Sequence, residues 1–503
     1  MTNFSARPRT NRAPIPFDNT YASLPEPFYS RVEPIPVNAP TLIKVNADLA
    51  QSLQIDVEYL TSPAGLEVLA GNRIPDASEP VAMAYAGHQF GNFVPQLGDG
   101  RAILLGEVQD QTGERFDIHL KGSGRTPYSR NGDGRAWLGP VLREYVVSEA
   151  MAALNIPTTR ALAAVTTGES VVREEILPGA ILTRIAKGHV RVGTFEYFAS
   201  RGDYQSVRTL ADYAIERFYP DCRASDQPYL ALFERVLQRQ ARLIAQWMGV
   251  GFIHGVMNTD NMSISGETID YGPCAFMDAY HPLTVFSYID QMGRYAYANQ
   301  PHIAKWNLSR LASTLVPLLH EHQDKAIEVA QTALDTFEEK HEAEWTRVFN
   351  AKLGLEQIKP GDATLAQALL TQMAKSGADF TLVFRGLLSG IKDGANPDCG
   401  EIRNMFQDSQ ALDVWLAKWH TRLGAEGRPP GEVRETMRTA NPAFIPRNHR
   451  IEQMIELARN GDFSLFEELL TILSHPFEDQ PEFQAYQTPP KPDEVVHTTF
   501  CGT

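Results

Sequence analysis

Cysteine is scarce in this sequence, and its placement argues against two classes of protein. The 503 residues include four cysteines, Cys222, Cys274, Cys399 and Cys501, and no two of them form a C-x-x-C pair. A zinc site or a disulfide scaffold needs closely or regularly spaced cysteines, so we expect neither. A thioredoxin-like redox protein is disfavoured for the same reason. The composition fits a protein of the reducing cytoplasm.

Long apolar runs and an excess of positive charge are also missing. No stretch of about 18 uncharged apolar residues occurs, so we expect no membrane-spanning helix and no membrane partner. The first residues, MTNFSARPRT, lack the apolar run of a secretory signal. Arg7, Arg9 and Arg12 suit a solvated arm better than an organelle-targeting sequence. The formal net charge is −15, and an acidic surface repels phosphate backbones, so we expect no nucleic-acid partner.

Hydrophobic periodicity divides the chain into a strand-rich part and a helical part. Phe116, Ile118 and Leu120 alternate with polar residues, which predicts a half-buried strand. Pro140 begins an amphipathic pattern that runs to Leu154 and predicts a helix. Strands followed mainly by helices indicate an α+β fold. Further strands are expected over residues 102–108, 161–167 and 180–186, and further helices over residues 229–248, 304–315, 325–349 and 451–458.

A lysine and a glutamate follow these patterns at informative positions. Lys121 comes at the end of the predicted strand, and Glu144 lies on the helix after it. In kinase-type sites a strand lysine, held by a helix glutamate, positions the phosphates of a bound nucleotide. Each residue alone is equally typical of a surface salt bridge, so the pair gains weight only from the other motifs.

Glycine and arginine are concentrated on both sides of this lysine. The segment LGDGR contributes Gly98, Gly100 and Arg101, and glycines let backbone N–H groups approach phosphate oxygens. The segment KGSGRTPYSRNGDGR, which starts at the lysine, is rich in both residues and suits a polyphosphate, although a plain turn or a solvated loop would look the same. Arg184, inside a predicted strand, needs an anionic partner or exposure, and Arg191 follows it.

The segment HGVMNTDNMSISGETIDYG, residues 254–272, carries the strongest motif. Protein kinases have H-R-D-L-x-x-x-N and then D-F-G. Here His254 takes the first position, Asn261 the asparagine position, and Asp270 begins D-Y-G. Asn261 and Asp270 offer hard oxygen ligands for a Mg²⁺ ion that bridges phosphates. Together with the strand lysine and the helix glutamate, this ordered set is hard to obtain by chance.

Val256 stands where kinases have their catalytic aspartate. Valine cannot accept a proton, so ordinary phosphoryl transfer to a hydroxyl should fail or be slow. Asp260 is the nearest replacement carboxylate. It could act as the base if the reacting phosphorus lies elsewhere in the site than it does in kinases.

Four segments in order resemble the selenoprotein O family of protein adenylyltransferases, which have a pseudokinase fold. They are YAGHQFGNFVPQLGDGRAILLGE, HLKGSGRTPYSRNGDGRAWLGPVLREY, HGVMNTDNMSISGETIDYGPCAFMD and NPAFIPRNH. The resemblance implies a kinase-like bilobal α+β fold with a small strand-rich lobe, a larger helical lobe and a helical C-terminal extension. We therefore expect a wrapping segment over residues 1–80, an N-lobe-like nucleotide-binding region over 81–200, a helical C lobe with its extension over 201–480, and a flexible tail over 481–503.

The resemblance also implies a reaction. ATP would bind flipped relative to kinases, with its α-phosphorus at the transfer point, and AMP would move to Ser, Thr or Tyr hydroxyls of proteins with release of pyrophosphate. Asp260 would be the proton acceptor, Asn261 and Asp270 the ligands of Mg²⁺ or Mn²⁺, and Glu144 the lysine-positioning residue. The nucleotide-contact positions would be Gly98, Gly100, Arg101, Lys121, Asp133, Gly134, Arg184, Arg191 and Asp270.

Two cysteines are candidates for regulation. Cys501 stands near the end of the tail, where some family members carry a selenocysteine. Cys274 lies four residues after Asp270, on the segment that corresponds to the start of a kinase activation loop. We predict a redox-sensitive disulfide between Cys274 and Cys501; a buried core cysteine and an idle tail thiol are an equally good interpretation.

Other functions stay open on the sequence alone. UMP transfer from UTP with Mn²⁺ would use the same residues. A conventional kinase-like phosphotransferase conflicts with Val256. A non-catalytic pseudokinase that only binds partners does not need Lys121, Glu144, Asn261 and Asp270 together. The expected partners are ATP and proteins with Ser, Thr or Tyr hydroxyls.

Overall fold

The computed structural model describes residues 13–391 and 399–500, so Arg7, Arg9, Arg12 and Cys501 lie outside the described residues. The described chain has an α+β structure, as predicted, and it divides into two compact units. Of the described residues, the first unit contains 13–84, 98–137 and 161–187, and the second contains 85–97, 138–160, 188–391 and 399–500.

The strands of the described residues are β1 (Tyr29–Arg31), β2 (Thr41–Val45), β3 (Val81–Met83), β4 (Gly87–Gln89), β5 (Asn92–Val94), β6 (Ala102–Gln109), β7 (Arg115–Lys121), β8 (Ala136–Trp137), β9 (Arg160–Val172), β10 (Ile176–Ala186), β11 (Phe252–Ile253) and β12 (Ala275–Phe276). The four predicted strands are therefore confirmed as β6, β7, β9 and β10.

The α-helices of the described residues are α1 (Ala47–Ser52), α2 (Val57–Leu60), α3 (Pro63–Leu69), α4 (Leu138–Ala153), α5 (Val192–Ala199), α6 (Tyr204–Phe218), α7 (Pro228–Gly249), α8 (Gln300–Leu319), α9 (Gln323–Asp335), α10 (Phe337–Lys352), α11 (Asp362–Ser376), α12 (Phe380–Gly386), α13 (Gly400–Arg403), α14 (Ser409–Gly424), α15 (Pro430–Ala440), α16 (Asn448–Arg459) and α17 (Ser464–Leu473). In residues 13–391 and 399–500, none of them has both the length and the apolar character needed to cross a bilayer.

The first unit is built on one sheet with the strand order β1-β3-β6-β7-β10-β9-β2, and β8 pairs with β10. Strand β7 pairs antiparallel with both β6 and β10. The short helices α1, α2 and α3 start at the side-chain caps Asn46, Asp56 and Ser62. Their buried apolar residues join those of β6 and β7 in one core, which fixes the central strands in place.

The central strand β7 differs from the prediction. It was expected to be half-buried, yet its polar residues Asp117, His119 and Lys121 are 2%, 0% and 7% exposed. The sequence alternation is real, but the polar face is covered as well. Buried polar groups are tolerated because they find partners, and His119 bonds to Asp99 and Arg184.

The second unit is mainly helical. Its longest helix, α7, buries the apolar side that its sequence pattern predicted, and it packs against α8 and α10. Helix α4 starts at Leu138, two residues before the predicted start, so that Pro140 lies in the first turn, where its missing N–H is not needed. The ring of Tyr145 on α4 packs edge-on against Phe466 of α17 at a centroid distance of 5.4 Å.

The helical structure predicted for residues 325–349 is confirmed, with a break at Thr336 that the sequence pattern did not indicate. Two helices, α9 and α10, meet at Thr336, whose hydroxyl donates to the carbonyl of Ala333 over 2.7 Å. A threonine side chain that bonds to a preceding carbonyl offers the backbone an alternative to the helical pattern. The apolar periodicity continues across this break, which is why the sequence did not reveal it.

Candidate active site

Lys121 lies at the carboxyl end of β7, opposite Ala102 of β6 and Leu182 of β10. Strands on both sides hold its backbone, and Lys121 is only 7% exposed. Burying an ammonium group costs free energy unless anions or hydrogen-bond acceptors surround it. Such a lysine is suited to holding a phosphate in a fixed position.

A chain of hydrogen bonds fixes the neighbouring arginine. Arg184 of β10 lies opposite His119 of β7, and its Nη2 donates to His119 Nδ1 over 3.1 Å. The other ring nitrogen, Nε2, donates to Asp99 Oδ2 over 3.2 Å, and the backbone N–H of Met83 donates to the same oxygen over 3.1 Å. These bonds assign a neutral imidazole with its proton on Nε2. Arg184 was predicted as a site residue, whereas His119, in the polar phase of the strand, and Asp99, in the LGDGR segment, were not.

Close packing requires glycine at one position in each of the two glycine-rich segments, LGDGR and KGSGRTPYSRNGDGR. Gly98 has φ +93°, and a Cβ there would lie 2.4 Å from the ring of Tyr128. Gly134 has φ +70°, and a Cβ there would lie 2.1 Å from the carbonyl oxygen of Gly124. The structure therefore accounts for both glycines by backbone geometry. Their predicted contact with a nucleotide stays a prediction.

Asp133, beside Gly134, is held by an arginine that the sequence analysis did not single out. Arg173 donates to its carboxylate from Nη1 over 2.8 Å and from Nη2 over 3.1 Å. This hydrogen bonding lowers the pKa of Asp133 below its ordinary value, although partial burial acts in the other direction. An ionised carboxylate repels phosphate, so a nucleotide contact by Asp133 would have to involve a hydroxyl, an amine or a cation.

In the second unit, His254 fixes the segment of residues 254–272. The imidazole is fully buried, and burial lowers its pKa. Nε2 donates to the carbonyl of Ile269 over 2.8 Å, while Nδ1 accepts from the N–H of Val256 over 3.3 Å. His254 thus holds together Val256, four residues before Asp260, and Ile269, the residue before Asp270.

Asp260 lies in the short 3₁₀ turn Thr259–Asn261 and is buried. Its Oδ2 accepts from Gln89 Nε2 over 3.1 Å, while Oδ1 is buried and has no hydrogen-bond partner among the described residues. Burial raises the pKa of Asp260 to about 6; the Gln89 bond and the charge of Arg191 act against this, and the charge of Asp270 adds to it. A buried carboxylate oxygen without a donor is suited to accepting a proton.

The two predicted metal ligands are close in sequence to this carboxylate. Asn261 uses its amide nitrogen to bond to the carbonyl of Val256 over 3.0 Å, so its amide oxygen is the atom that could bind a metal ion. Asp270 has φ +68°, a left-handed conformation that few non-glycine residues adopt and that is concentrated at functional sites. An amide oxygen and a carboxylate form a donor set that fits Mg²⁺ or Mn²⁺.

No group of three or more His, Cys, Asp or Glu residues is placed to hold a metal ion in the part of the chain that the structure describes. A divalent ion bound by Asn261 and Asp270 would complete its coordination with oxygens of water or of the nucleotide phosphates. Mg²⁺ is commonly held in this way, by one or two protein ligands and by nucleotide phosphates.

A hairpin formed by β4 and β5 holds the turn that carries Asp260, and the sequence analysis missed its role. A Cβ on Gly87 would lie 2.4 Å from Asp260 Oδ1, so the hairpin needs glycine there. The N–H of His88 donates to Thr259 Oγ1 over 2.7 Å, and the hairpin residue Gln89 bonds to Asp260. Glu196 of α5 bonds to both His88 and Thr259. The only sequence signal was the segment YAGHQFGNF within the resemblance.

Helix α4 brings Glu144 close to the segment after Asp270. Glu144 is 2% exposed. Burial raises the pKa of Tyr271 above its ordinary value, and the negative charge of Glu144 contributes to the increase. The adjacent Arg143 donates from Nη1 to the carbonyl of Cys274 over 3.2 Å. The side chain of Cys274 is fully buried.

The predicted residues thus fall into two groups, one in each unit. Arg191, at the start of α5, has its guanidinium 4.2 Å from the ring centroid of Tyr85, also in the second unit. The first unit contains Gly98, Gly100, Arg101, Lys121, Asp133, Gly134 and Arg184, and the second contains Glu144, Arg191, Asp260, Asn261, Asp270 and Cys274.

Comparison with known proteins decides the family. The family model described as Protein adenylyltransferase SelO matches residues 12–474. The chain belongs to the SelO family. The resemblance noted in the sequence is therefore confirmed, and so is the predicted enzyme class, a protein nucleotidyltransferase of the adenylyl-transferring type.

Curated relatives in the SelO family match over nearly their whole length. A protein nucleotidyltransferase YdiU of Nitrobacter hamburgensis is 58% identical over 501 residues, which cover 99% of this chain and 99% of the relative. One from Rhodopseudomonas palustris strain BisB5 is 60% identical over 490 residues, covering 97% and 99%. One from Rhizobium johnstonii is 58% identical over 494 residues, covering 98% of both.

Proposed function

We propose that this chain transfers AMP from ATP to Ser, Thr or Tyr hydroxyls of acceptor proteins, with Asp260 as the proton acceptor. The observation that carries the proposal is the carboxylate of Asp260, whose Oδ1 is buried without a donor among the described residues and whose pKa is raised to about 6. A base that titrates near neutral pH can take a proton from a hydroxyl and later return it to water.

The proposed reaction is a single displacement at the α-phosphorus of ATP. The hydroxyl oxygen of the acceptor attacks the α-phosphorus of ATP, and a new P–O bond forms. The bond from the α-phosphorus to the oxygen that bridges to the β-phosphorus breaks, and pyrophosphate leaves with the bonding electrons. The hydroxyl proton goes to Asp260 Oδ1. Val256 cannot perform this step from the position of the kinase base.

The phosphate contacts in the proposal come from the first unit. Lys121 and Arg184 supply buried positive charge, and the hydrogen bond of Arg184 to His119 restricts its guanidinium before substrate binds. The loops with Gly98, Gly100 and Arg101, and with Asp133 and Gly134, would contact the same nucleotide. The pairing of Lys121 with Glu144 stays a prediction.

Mg²⁺ or Mn²⁺ would be held by Asn261 and Asp270. When bound, such an ion neutralises charge on the phosphates. The left-handed backbone of Asp270 supports this assignment, because strain of this kind is retained where a side chain must be held in one direction.

We further propose that the two units correspond to the lobes of a kinase-like bilobal fold. An antiparallel sheet with a lysine on its central strand β7 suits the N lobe. The long helix α7, followed by the 254–272 segment, suits the C lobe, and the later helices form its extension. The expected domain bounds differ from the bounds of the two units at residues 13–80 and 138–160, and they stay a separate prediction.

A labelling experiment tests the reaction. The enzyme is incubated with Mg²⁺, β-casein as an unfolded acceptor, and ATP labelled at either the α- or the γ-phosphorus. We expect the α-label alone on protein, and an added AMP by intact mass. Labelled UTP tests the alternative of UMP transfer. Protein-bound γ-label would establish a kinase and overturn the proposal. Asp226→Asn, at an exposed aspartate, is the control for Asp260→Asn.

The disulfide between Cys274 and Cys501 remains part of the proposal. Thr499, two residues before Cys501, donates its hydroxyl to the carbonyl of Pro273 over 2.6 Å, and Pro273 is the neighbour of Cys274. This contact supports the idea that the tail reaches the right segment. Because Cys274 is fully buried, a disulfide would require the chain around it to open.

A further inference from the structure

One loop of the second unit exposes an unusual number of large apolar side chains. The loop, residues 282–298, is closed at its base, where the N–H of Ala298 bonds to Pro282 O over 2.9 Å and that of Tyr297 to Thr284 O over 3.1 Å. Compact loops with joined ends are often functional. The exposed fractions are 66% for Leu283, 61% for Tyr288, 57% for Ile289 and 94% for Met292.

Hydrogen bonds hold this loop in a defined shape. The buried carboxylate of Asp290 accepts from the N–H of Arg294 over 2.9 Å and from the N–H of Tyr295 over 2.8 Å. A turn closes between Ser287 and Asp290, and another between Asp290 and Gly293. The apolar side chains are thus presented by a folded loop, and its one carboxylate is used internally. Clusters of this kind mark interaction surfaces.

The loop is fixed to the turn that carries Asp260. The hydroxyl of Tyr295 donates to Asn258 Oδ1 over 2.6 Å, and Asn258 lies two residues before Asp260. The N–H of Phe90, in the hairpin that bonds to Asp260, donates to the same oxygen over 3.1 Å. A protein bound to the loop would therefore be held at a fixed position relative to the proton acceptor.

The C-terminal tail extends the apolar surface. The N–H of Thr499 donates to Phe286 O over 2.7 Å, and Thr499 O accepts from the N–H of Tyr288 over 3.1 Å. The ring of Phe500 then packs edge-on against Tyr288 at 6.2 Å and remains 57% exposed. The loop edge has thus paired with one extended segment, while Leu283, Ile289 and Met292 stay uncovered.

We propose that residues 282–298, together with Phe500, form the docking surface for the acceptor protein and bind an apolar stretch of its chain near the hydroxyl to be modified. The inference rests on the proposed function, because an enzyme that modifies proteins must hold a polypeptide beside its base. Apolar contacts suit acceptors of varied charge. The two charged residues of this loop already have contacts within the protein, since Asp290 accepts two backbone hydrogen bonds and the guanidinium of Arg294 lies 4.8 Å from the ring centroid of Trp306.

The test uses the full chain with Met292→Asp and, separately, Ile289→Asp. The KM for β-casein, measured with α-labelled ATP, should rise about tenfold or more, as expected when a central apolar contact is replaced by a charge. The KM for ATP should not change. Val414→Asp and Ile358→Asp, at 55% and 56% exposure, are matched controls outside the loop and should leave both constants unchanged.

Two peptides separate docking from reactivity. Each carries one threonine, and they differ only in whether the flanking residues are leucine or glutamine. The wild type should prefer the leucine peptide, and Met292→Asp should lose that preference. Equal KM values for wild type and both loop variants would overturn the docking surface while AMP transfer itself persists. A wild-type dimer that Met292→Asp dissociates would assign the loop to a second copy of the chain instead. Failure of the wild type to transfer AMP at all would instead refute the reaction, and the docking surface with it.

Discussion

Gln89 donates a hydrogen bond from Nε2 to Oδ2 of Asp260 over 3.1 Å, and this contact leaves Oδ1 as the oxygen without a donor. The two residues are 171 positions apart in the chain. In the proposed reaction, this bond would make Oδ1 the oxygen that accepts the proton.

Gln89→Leu should lower kcat more than it changes the KM for ATP. A hydrogen bond to a charged group contributes roughly 1.5–3 kcal/mol, which corresponds to a loss of about 10- to 100-fold. Steady-state kinetics with α-labelled ATP measure both constants. Gln89→Glu keeps the size but places a second carboxylate at Asp260, so it should be at least as slow. Normal kcat in both variants would leave Gln89 without a positioning role.

Asp260→Asn should lower kcat by about 10²–10⁴-fold, the usual contribution of a general base, while ATP binding is retained. The pKa of Asp260 is raised to about 6, so the reactive, ionised form is lost as the pH falls through that value. The kcat of the wild type should therefore decrease below about pH 6. Activity that stays constant down to pH 5 would contradict the assignment.

Asp270→Ala should abolish metal-dependent transfer, because Asn261 alone is a poor site for a divalent cation. Titration of activity with Mg²⁺ and with Mn²⁺ provides the measurement, and isothermal titration with Mn²⁺ and ATP gives a readout independent of turnover. Glu342→Ala, on the exposed side of the helical unit, is the control and should titrate like the wild type. Transfer by Asp270→Ala at the wild-type rate in saturating Mg²⁺ would remove Asp270 from the metal site.

Lys352→Met should stabilise the protein. The side chain is 2% exposed, and its Nζ lies 4.4 Å from the ring centroid of Phe384 and 5.4 Å from that of Phe380. Burial lowers the pKa of Lys352 to about 7. Each pKa unit corresponds to about 1.4 kcal/mol of free energy, and the cation–π contacts with the two rings offset part of this cost. The substitution should therefore raise the free energy of unfolding by roughly 1–3 kcal/mol at pH 7.

The pH dependence of that gain follows from the direction of the shift. The unfolded lysine binds its proton up to about pH 10.4, whereas the folded one releases it near 7. The charged lysine therefore destabilises the folded protein fully below pH 7, and this destabilisation decreases as the pH rises from 7 to about 10.4. Melting temperatures at pH 6, 7 and 9 should show the advantage of Lys352→Met decreasing. The exposed Lys418→Met should have no such effect, and a pH-independent gain would refute a charged lysine in the core.

Mild oxidation should lower transfer to β-casein, and reductant should restore it, if Cys274 and Cys501 pair. Cys501→Ser should remove this response, while Cys222→Ser, at another buried cysteine, should keep it. Peptide mapping of the oxidised protein identifies the linkage. A map without a Cys274–Cys501 peptide would discard the disulfide and leave the transferase assignment unaffected.

The helices and strands with strong local patterns could be predicted from the sequence. Helix α7 and strand β6 were predicted because apolar periodicity and flanking residues act over short distances. The break at Thr336 was missed because one side-chain bond outweighed a continuous pattern. The partners Gln89 and His119 were missed because each gains its role from a residue brought near by the fold. Burial of the polar face of β7 was missed for the same reason, since alternation does not report what covers a strand.

The division of the chain has a consequence for its synthesis. The two units alternate along the sequence in six segments, so the polypeptide passes from one to the other at five junctions. No single cut by a protease or in a gene would release either unit whole. On the ribosome, the central strand β7 must wait for β10 before it is paired on both sides. The hairpin that contains Gln89 emerges long before the turn that carries Asp260, so Asp260 acquires this hydrogen-bond donor only after the second unit's helices α4–α7 have been made.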